Sequence, residues 1–400
     1  MTTLSELSVK LLQSLIVVLV VLTLFALSSI NTNFTWGNMI VLFLTFGQAF
    51  FIEYLVHWKW CKFDISFDSV VKYFACGFLL TTPMAMVFEA IISTVASLVA
   101  MFVVIMILGV DADMSNELQS NPKEAMKNFA TKYQGIFIVY VFINAFVVAA
   151  VVEEMVKYFG YWMVVTPDIL PENRSNTAPV TSSYNTNGEE ENTRPLKSAR
   201  STGAGITVAM VSVALGFACC ENLMYIFVYS PPSLGVGKLF FRSTLSLFIL
   251  GSFSNYSFNY NAEISTLIAR SLFPVHPLCA AIQSIGVCKR DIEGNKRYGV
   301  GRIITPAVLL HGSFDFVLML AAFYESLKLV EEGGDQNEGT DESSNQPTEE
   351  DLAAELPSLI SGLVFVILGS IYYGCASRAQ NQRLISMDSV ALDQGSSSLV

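Results

Sequence analysis

Four short clusters hold residue types able to do chemistry. The first is Glu153-Glu154-Met155-Val156-Lys157. On a helix, Glu153 and Lys157 stand four residues apart and Glu154 and Lys157 three, so the three side chains share a face. The lysine can neutralise one carboxylate and leave the other as a base for activating water. An internally compensated ion pair joining two helices is the plainer use of the same residues. The second cluster is Phe217, Glu221 and Tyr225 at steps of four, with Asn222 beside the acid. Small residues at Gly216 and Ala218 allow close helix approach there. The third is His276 between Pro274 and Pro277, six residues after Arg270. The fourth is His311 with Asp315, where a carboxylate four residues on can orient an imidazole, fix its tautomer or share a metal with it. Glutamates, two imidazoles and an aspartate suit hydrolysis by glutamate-activated water. They equally suit one divalent metal such as zinc, for which Glu153, Glu221, His276, His311 and Asp315 are the candidate ligands.

These clusters must be positioned by membrane-spanning helices. The 400-residue chain is 52% hydrophobic and 14% charged, with a mean hydropathy of +0.51. A soluble domain carries about 25% charged residues. The mix excludes a disordered chain, a disulfide scaffold and an ordinary cytosolic enzyme. The expected fold is all-α, a polytopic transmembrane bundle of about eight spans (range 8–10) with an intramembrane polar site. Apolar runs lie at 11–30, 38–56, 135–165, 204–229, 262–287, 302–327 and 357–375. The stretch 70–110 reads as one span interrupted near Pro83 with an extension beyond it, or as a helical hairpin. The stretch 239–256 carries Arg242 and Asn255 and reads as non-spanning. With that choice most Lys and Arg fall on one side, and the positive-inside rule places both termini in the cytoplasm. The six acid and imidazole groups Glu153, Glu154, Glu221, His276, His311 and Asp315 then lie near the middles of four spans. Buried charge is costly in lipid, so a shared depth argues for a shared site. His57, at a span end beside Trp58 and Trp60, reads as interfacial and is assigned no chemistry.

The net charge of −11 gathers in one acidic stretch between Glu331 and Glu355. No basic patch exists, which excludes nucleic acid as a partner. The seven cysteines show no paired spacing. The expected organisation runs from an anchor span or signal peptide over 1–37 to a catalytic core over 38–328. A polar linker at 171–202 and an insertion at 230–261 interrupt the core. An acidic disordered loop over 329–356, an extra span over 357–376 and a cytoplasmic tail over 377–400 follow.

The combination of Glu153-Glu154-x-x-Lys157, Phe217-x-x-x-Glu221-Asn222-x-x-Tyr225, His276 and His311-Gly312-x-Phe314-Asp315 resembles the four motifs of the PrsW family. That family comprises bacterial site-one proteases that cut anti-sigma factors, and it is distantly similar to the type II CAAX prenyl proteases. The resemblance runs from about Phe51 to about Ala321. It implies an intramembrane endopeptidase acting on membrane-anchored proteins. Glu153, Glu154, Glu221, His276, His311 and Asp315 would be catalytic, and Lys157, Asn222, Tyr225 and Phe217 supporting. The first span, the two insertions and the C-terminal additions depart from the pattern, so the anti-sigma-factor substrate is not carried over. Two rivals remain open at this stage: a proton- or cation-coupled transporter using the same groups as a relay, and a catalytically inactive membrane scaffold.

Overall fold

A computed structural model describes residues 4–29, 36–110, 128, 131–166, 197–225, 269–332 and 349–397. Among the described residues there is helix and no strand. In chain order the helices are α1 (Glu6–Ser29), α2 (Trp36–Glu53), α3 (Phe67–Cys76), α4 (Thr82–Val110), α5 (Gln134–Ile143), α6 (Val152–Met163), α7 (Ala199–Met224), α8 (Val275–Asp291), α9 (Val300–Glu332) and α10 (Glu349–Ser397). Six helical stretches among the described residues are long and apolar enough to cross a membrane. The chain is an integral, multi-pass membrane protein. Large apolar side chains such as Phe43, Val99 and Ile367 are exposed, as a lipid-facing surface requires.

Several expected boundaries shift for identifiable reasons. The stretch 70–110 contains neither an interruption at Pro83 nor a hairpin. Helix runs from Phe67 to Ile107, with a π-helical turn at Gly77–Thr81 that joins α3 to α4. Pro83 stands in the first turn of α4, where a missing N–H is best tolerated. Further π turns extend α2 (Tyr54–Trp60) and join α5 to α6 (Asn144–Val151). The expected span 262–287 is broken: helix over 269–272 stops before Pro274, and α8 starts at Val275. His276 therefore stands in a first helical turn, beside the break, and not at mid-span. α10 is 49 residues long, far beyond the expected 357–376. The expected piece 239–256 lies outside the described residues, as do most of the linker 171–202 and the centre of the acidic stretch.

α7 is the hub and packs against α2, α3, α8 and the π turn after α3. Its approach to α3 depends on two glycines. A Cβ on Gly77 would lie 2.0 Å from the Val213 carbonyl oxygen, and one on Gly216 would lie 2.0 Å from the Phe74 carbonyl oxygen. The backbones touch there, so only glycine fits. The start of α7 is capped twice. Ser198 Oγ accepts from Ser201 N at 3.1 Å, and the Asp388 carboxylate of α10 accepts from Ala199 N at 2.6 Å and Arg200 N at 3.2 Å. A carboxylate at that position also meets the positive end of the helix dipole.

Candidate active site

Four elements deliver the polar cluster, and each does so by helical spacing. α6 opens immediately after the Asn144–Val151 π turn and carries Glu153, Glu154 and Lys157 in its first turns. α7 brings Glu221 and Asn222 in its last turn. The break at Pro274 brings Arg270 and His276 together from opposite sides of the gap, and α9 supplies His311 and Asp315. Of the ten residues expected from the sequence, nine meet in one place and Asn222 lies beside them. The six acid and imidazole groups are buried, with exposures between 0% for Glu154 and 8% for Glu221.

Lys157 sits at the centre. Its Nζ donates to Glu154 Oε1 at 2.8 Å, to Glu153 Oε2 at 3.1 Å and to His276 Nδ1 at 2.8 Å, and it lies 4.4 Å from the Phe217 ring centroid. An ammonium can only donate, so His276 Nδ1 accepts and its Nε2 carries the proton. That Nε2 faces Glu221 Oε2 at 3.1 Å. Phe217 also packs beside the His276 ring.

Glu154 is fully occupied. Its Oε1 accepts from Lys157 and from His311 Nδ1, the latter at 2.8 Å, and its Oε2 accepts from Gln283 Nε2 at 2.6 Å. A carboxylate can only accept, so His311 Nδ1 bears a proton, and in the neutral ring Nε2 is the nitrogen with the lone pair. This Nε2 faces Asp315 Oδ2 at 3.2 Å and Glu153 Oε2 at 3.7 Å. The two imidazoles meet edge to face, with ring centroids 4.9 Å apart.

Arg270 closes the other side. It donates to Glu221 Oε1 at 2.7 Å and to the Tyr225 hydroxyl at 3.1 Å, and approaches Glu153 Oε1 at 4.0 Å. Asn222 stands slightly apart: its Nδ2 donates to Thr45 Oγ1 at 3.0 Å and Ser271 Oγ at 3.3 Å. Gln48 Nε2 donates to the Leu272 carbonyl oxygen at 2.8 Å, which satisfies a group freed by the break.

The donor set fits a divalent metal. One ligand atom each from Glu153, His276 and His311 lie within 4.8 Å of one another. His311 Nε2, Asp315 Oδ2 and Glu153 Oε2 are acceptors turned toward each other. Glu221 Oε2 and Asp315 Oδ2 are buried without a hydrogen bond. Four carboxylates (Glu153, Glu154, Glu221, Asp315) surround two cations (Lys157, Arg270) and two imidazoles. Buried charge of this kind is stable only when compensated.

Residues 66–330 match the profile of the PrsW family intramembrane metalloproteases. The chain belongs to the PrsW family. No curated protein and no solved structure matched it. Membership makes it a hydrolase, a protease of the membrane interior, and the Glu-His-His group agrees with the metal in the family's description.

Sequence reasoning passed over several residues of this PrsW-family site. Arg270 was visible as a cation within a span, but its tie to Glu221 was not. Glu89 of α4 stands in the same cleft as Glu221 and was findable as an acid inside an apolar run. Gln283, Thr45 and Ser271 gave no signal, because neutral polar residues are ordinary in helices until their partners are known. Glu53, which accepts from Ser212 Oγ at 3.0 Å, is a second overlooked acid, away from the site.

Proposed function

We propose that this PrsW-family protease hydrolyses peptide bonds of membrane-anchored proteins with a divalent metal held by Glu153, His276 and His311, His276 ligating through Nδ1 in place of its hydrogen bond from Lys157. The carrying observation is the convergence of those three donors, all buried, with one ligand atom from each within 4.8 Å of the others. Such a metal supplies Lewis acidity and activates water at neutral pH. The chain's own residues do the rest. Glu154 takes the His311 Nδ1 proton in a hydrogen bond and leaves Nε2 free to ligate, the usual arrangement behind a ligating histidine. Asp315 adds negative charge beside that nitrogen. Lys157 holds the two motif glutamates against each other's repulsion. Glu221, tethered by Arg270 at one oxygen, keeps the other free to take or return a proton near His276. Burial of the whole set excludes bulk water and strengthens every electrostatic contact within it.

We also propose that both described ends of the chain face the cytoplasm. Ser5 N donates to Asp68 Oδ1, Lys197 Nζ to the Asp64 carbonyl oxygen, and Arg383 pairs with Glu293, all at the end where Asp388 caps α7. The described start of the chain and the end of α10 thus share a face rich in lysine and arginine. This supports a cytoplasmic position for both.

The test is metal analysis of purified protein together with chelator sensitivity of cleavage in detergent. About one equivalent of a divalent metal, and loss of cleavage on chelation with recovery on re-addition, are expected. Full cleavage by metal-free protein would return the mechanism to glutamate-activated water.

A further inference from the structure

Hydrolysis consumes one water for each bond cut, yet the six acid and imidazole groups are at most 8% exposed. Water must therefore have a route. A partly enclosed cavity of about 20 Å³ lies between α4 and α7. About 10–15 Å³ suffices for one water if polar partners are present. Thr82 and Glu89 face it from α4, and Glu221 and Tyr225 from α7, with Met86 and Met224 among its apolar walls. Glu221 lines it, and the buried Oε2 of the same side chain, which has no hydrogen bond, lies 3.1 Å from His276 Nε2. The charges of Glu153, Glu221, Arg270 and Lys157 all bear on Glu89.

We infer that the α4–α7 cleft is the water entrance of this protease, and that Glu89 is the residue that holds and orients water on its way to Glu221. The inference rests on the peptidase reading above. Glu89 is a positioning residue: it acts through the water it binds and is not one of the candidate metal ligands. A carboxylate or an amide at this position can hold a water, whereas an alkyl group cannot.

Two measurements test this. In proteoliposomes, with the native cysteines replaced, Met86→Cys and Met224→Cys should react with 2-aminoethyl methanethiosulfonate much faster than Leu215→Cys in the dry core. They should do so equally in an inactive Glu153→Gln background, so the result does not depend on catalysis. Separately, Ala85→Leu and Met86→Phe, which narrow the cleft, and Glu89→Leu should lower kcat by about tenfold or more with KM unchanged, and Glu89→Gln should recover most of the loss. Cleft cysteines no more reactive than Leu215→Cys would overturn the inference, as would narrowed variants that cut at the wild-type rate. A wild-type chain that cuts no membrane protein would instead reject the peptidase reading, while the thiol reactivity still reported on the water path.

Discussion

Glu154 and Glu153 are neighbours in sequence with unlike surroundings. Glu154 is held by three donors, Lys157, His311 and Gln283, while Glu153 has only Lys157 as a close donor and both imidazoles within 3.7 Å. Glu153 is thus the freer carboxylate, suited to a ligand or base, and Glu154 the anchor. Glu153→Ala and His311→Ala should abolish cleavage and metal retention while membrane insertion, read by protease protection, stays intact. Gln283→Leu should weaken metal binding by about 10–100-fold, measured by titration with a competing chelator, because it releases the carboxylate that aims His311. Lys157→Met should destabilise the fold by about 3–5 kcal/mol, read by resistance to unfolding in mixed detergent, because it strands two buried carboxylates. A stable Lys157→Met protein would mean that those acids are already compensated without the lysine.

At the scale of helices, register decides whether these side chains meet. The π turn Asn144–Val151 stands immediately before Glu153. Removing one residue from it would rotate α6 by about 100° relative to α5. Such a deletion should inactivate the protein as completely as Glu153→Ala, although no polar side chain is lost. Gly216→Ala should force α3 and α7 apart and displace Glu221, and an activity loss with retained expression would show it. This level also marks what the sequence could reveal. Spacings of three and four exposed the shared faces of Glu153, Glu154 and Lys157, and of His311 and Asp315, because each lies within one regular helix. Apolar runs located the spans for the same reason. The π turns were hidden, since an extra residue per turn leaves no mark in composition. The break at Pro274 was hidden within the apolar run 262–287, because proline alone does not say whether the helix resumes in line. Glu89 was overlooked because the chemistry of an isolated acid emerges only when a second helix faces it.

The whole molecule couples its added parts to its core. α10 lies beyond the matched region, yet Asp388 caps α7 and Arg383 holds Glu293 in the turn after α8. Asp388→Ala should cost about 1 kcal/mol in the same unfolding measurement. It should also loosen amide protection at the start of the helix that carries Glu221. The helix from Phe67 to Ile107 has a further consequence. Its 41 residues, of which the most apolar window is only 6% buried, would reach about 60 Å at the usual rise, twice the roughly 30 Å of a hydrocarbon core. A rod of that length tilts, thickens the bilayer locally or extends past the hydrocarbon core, and the cleft beside Glu89 lies along it. Turnover in reconstituted bilayers should therefore pass through an optimum as the acyl chains are lengthened.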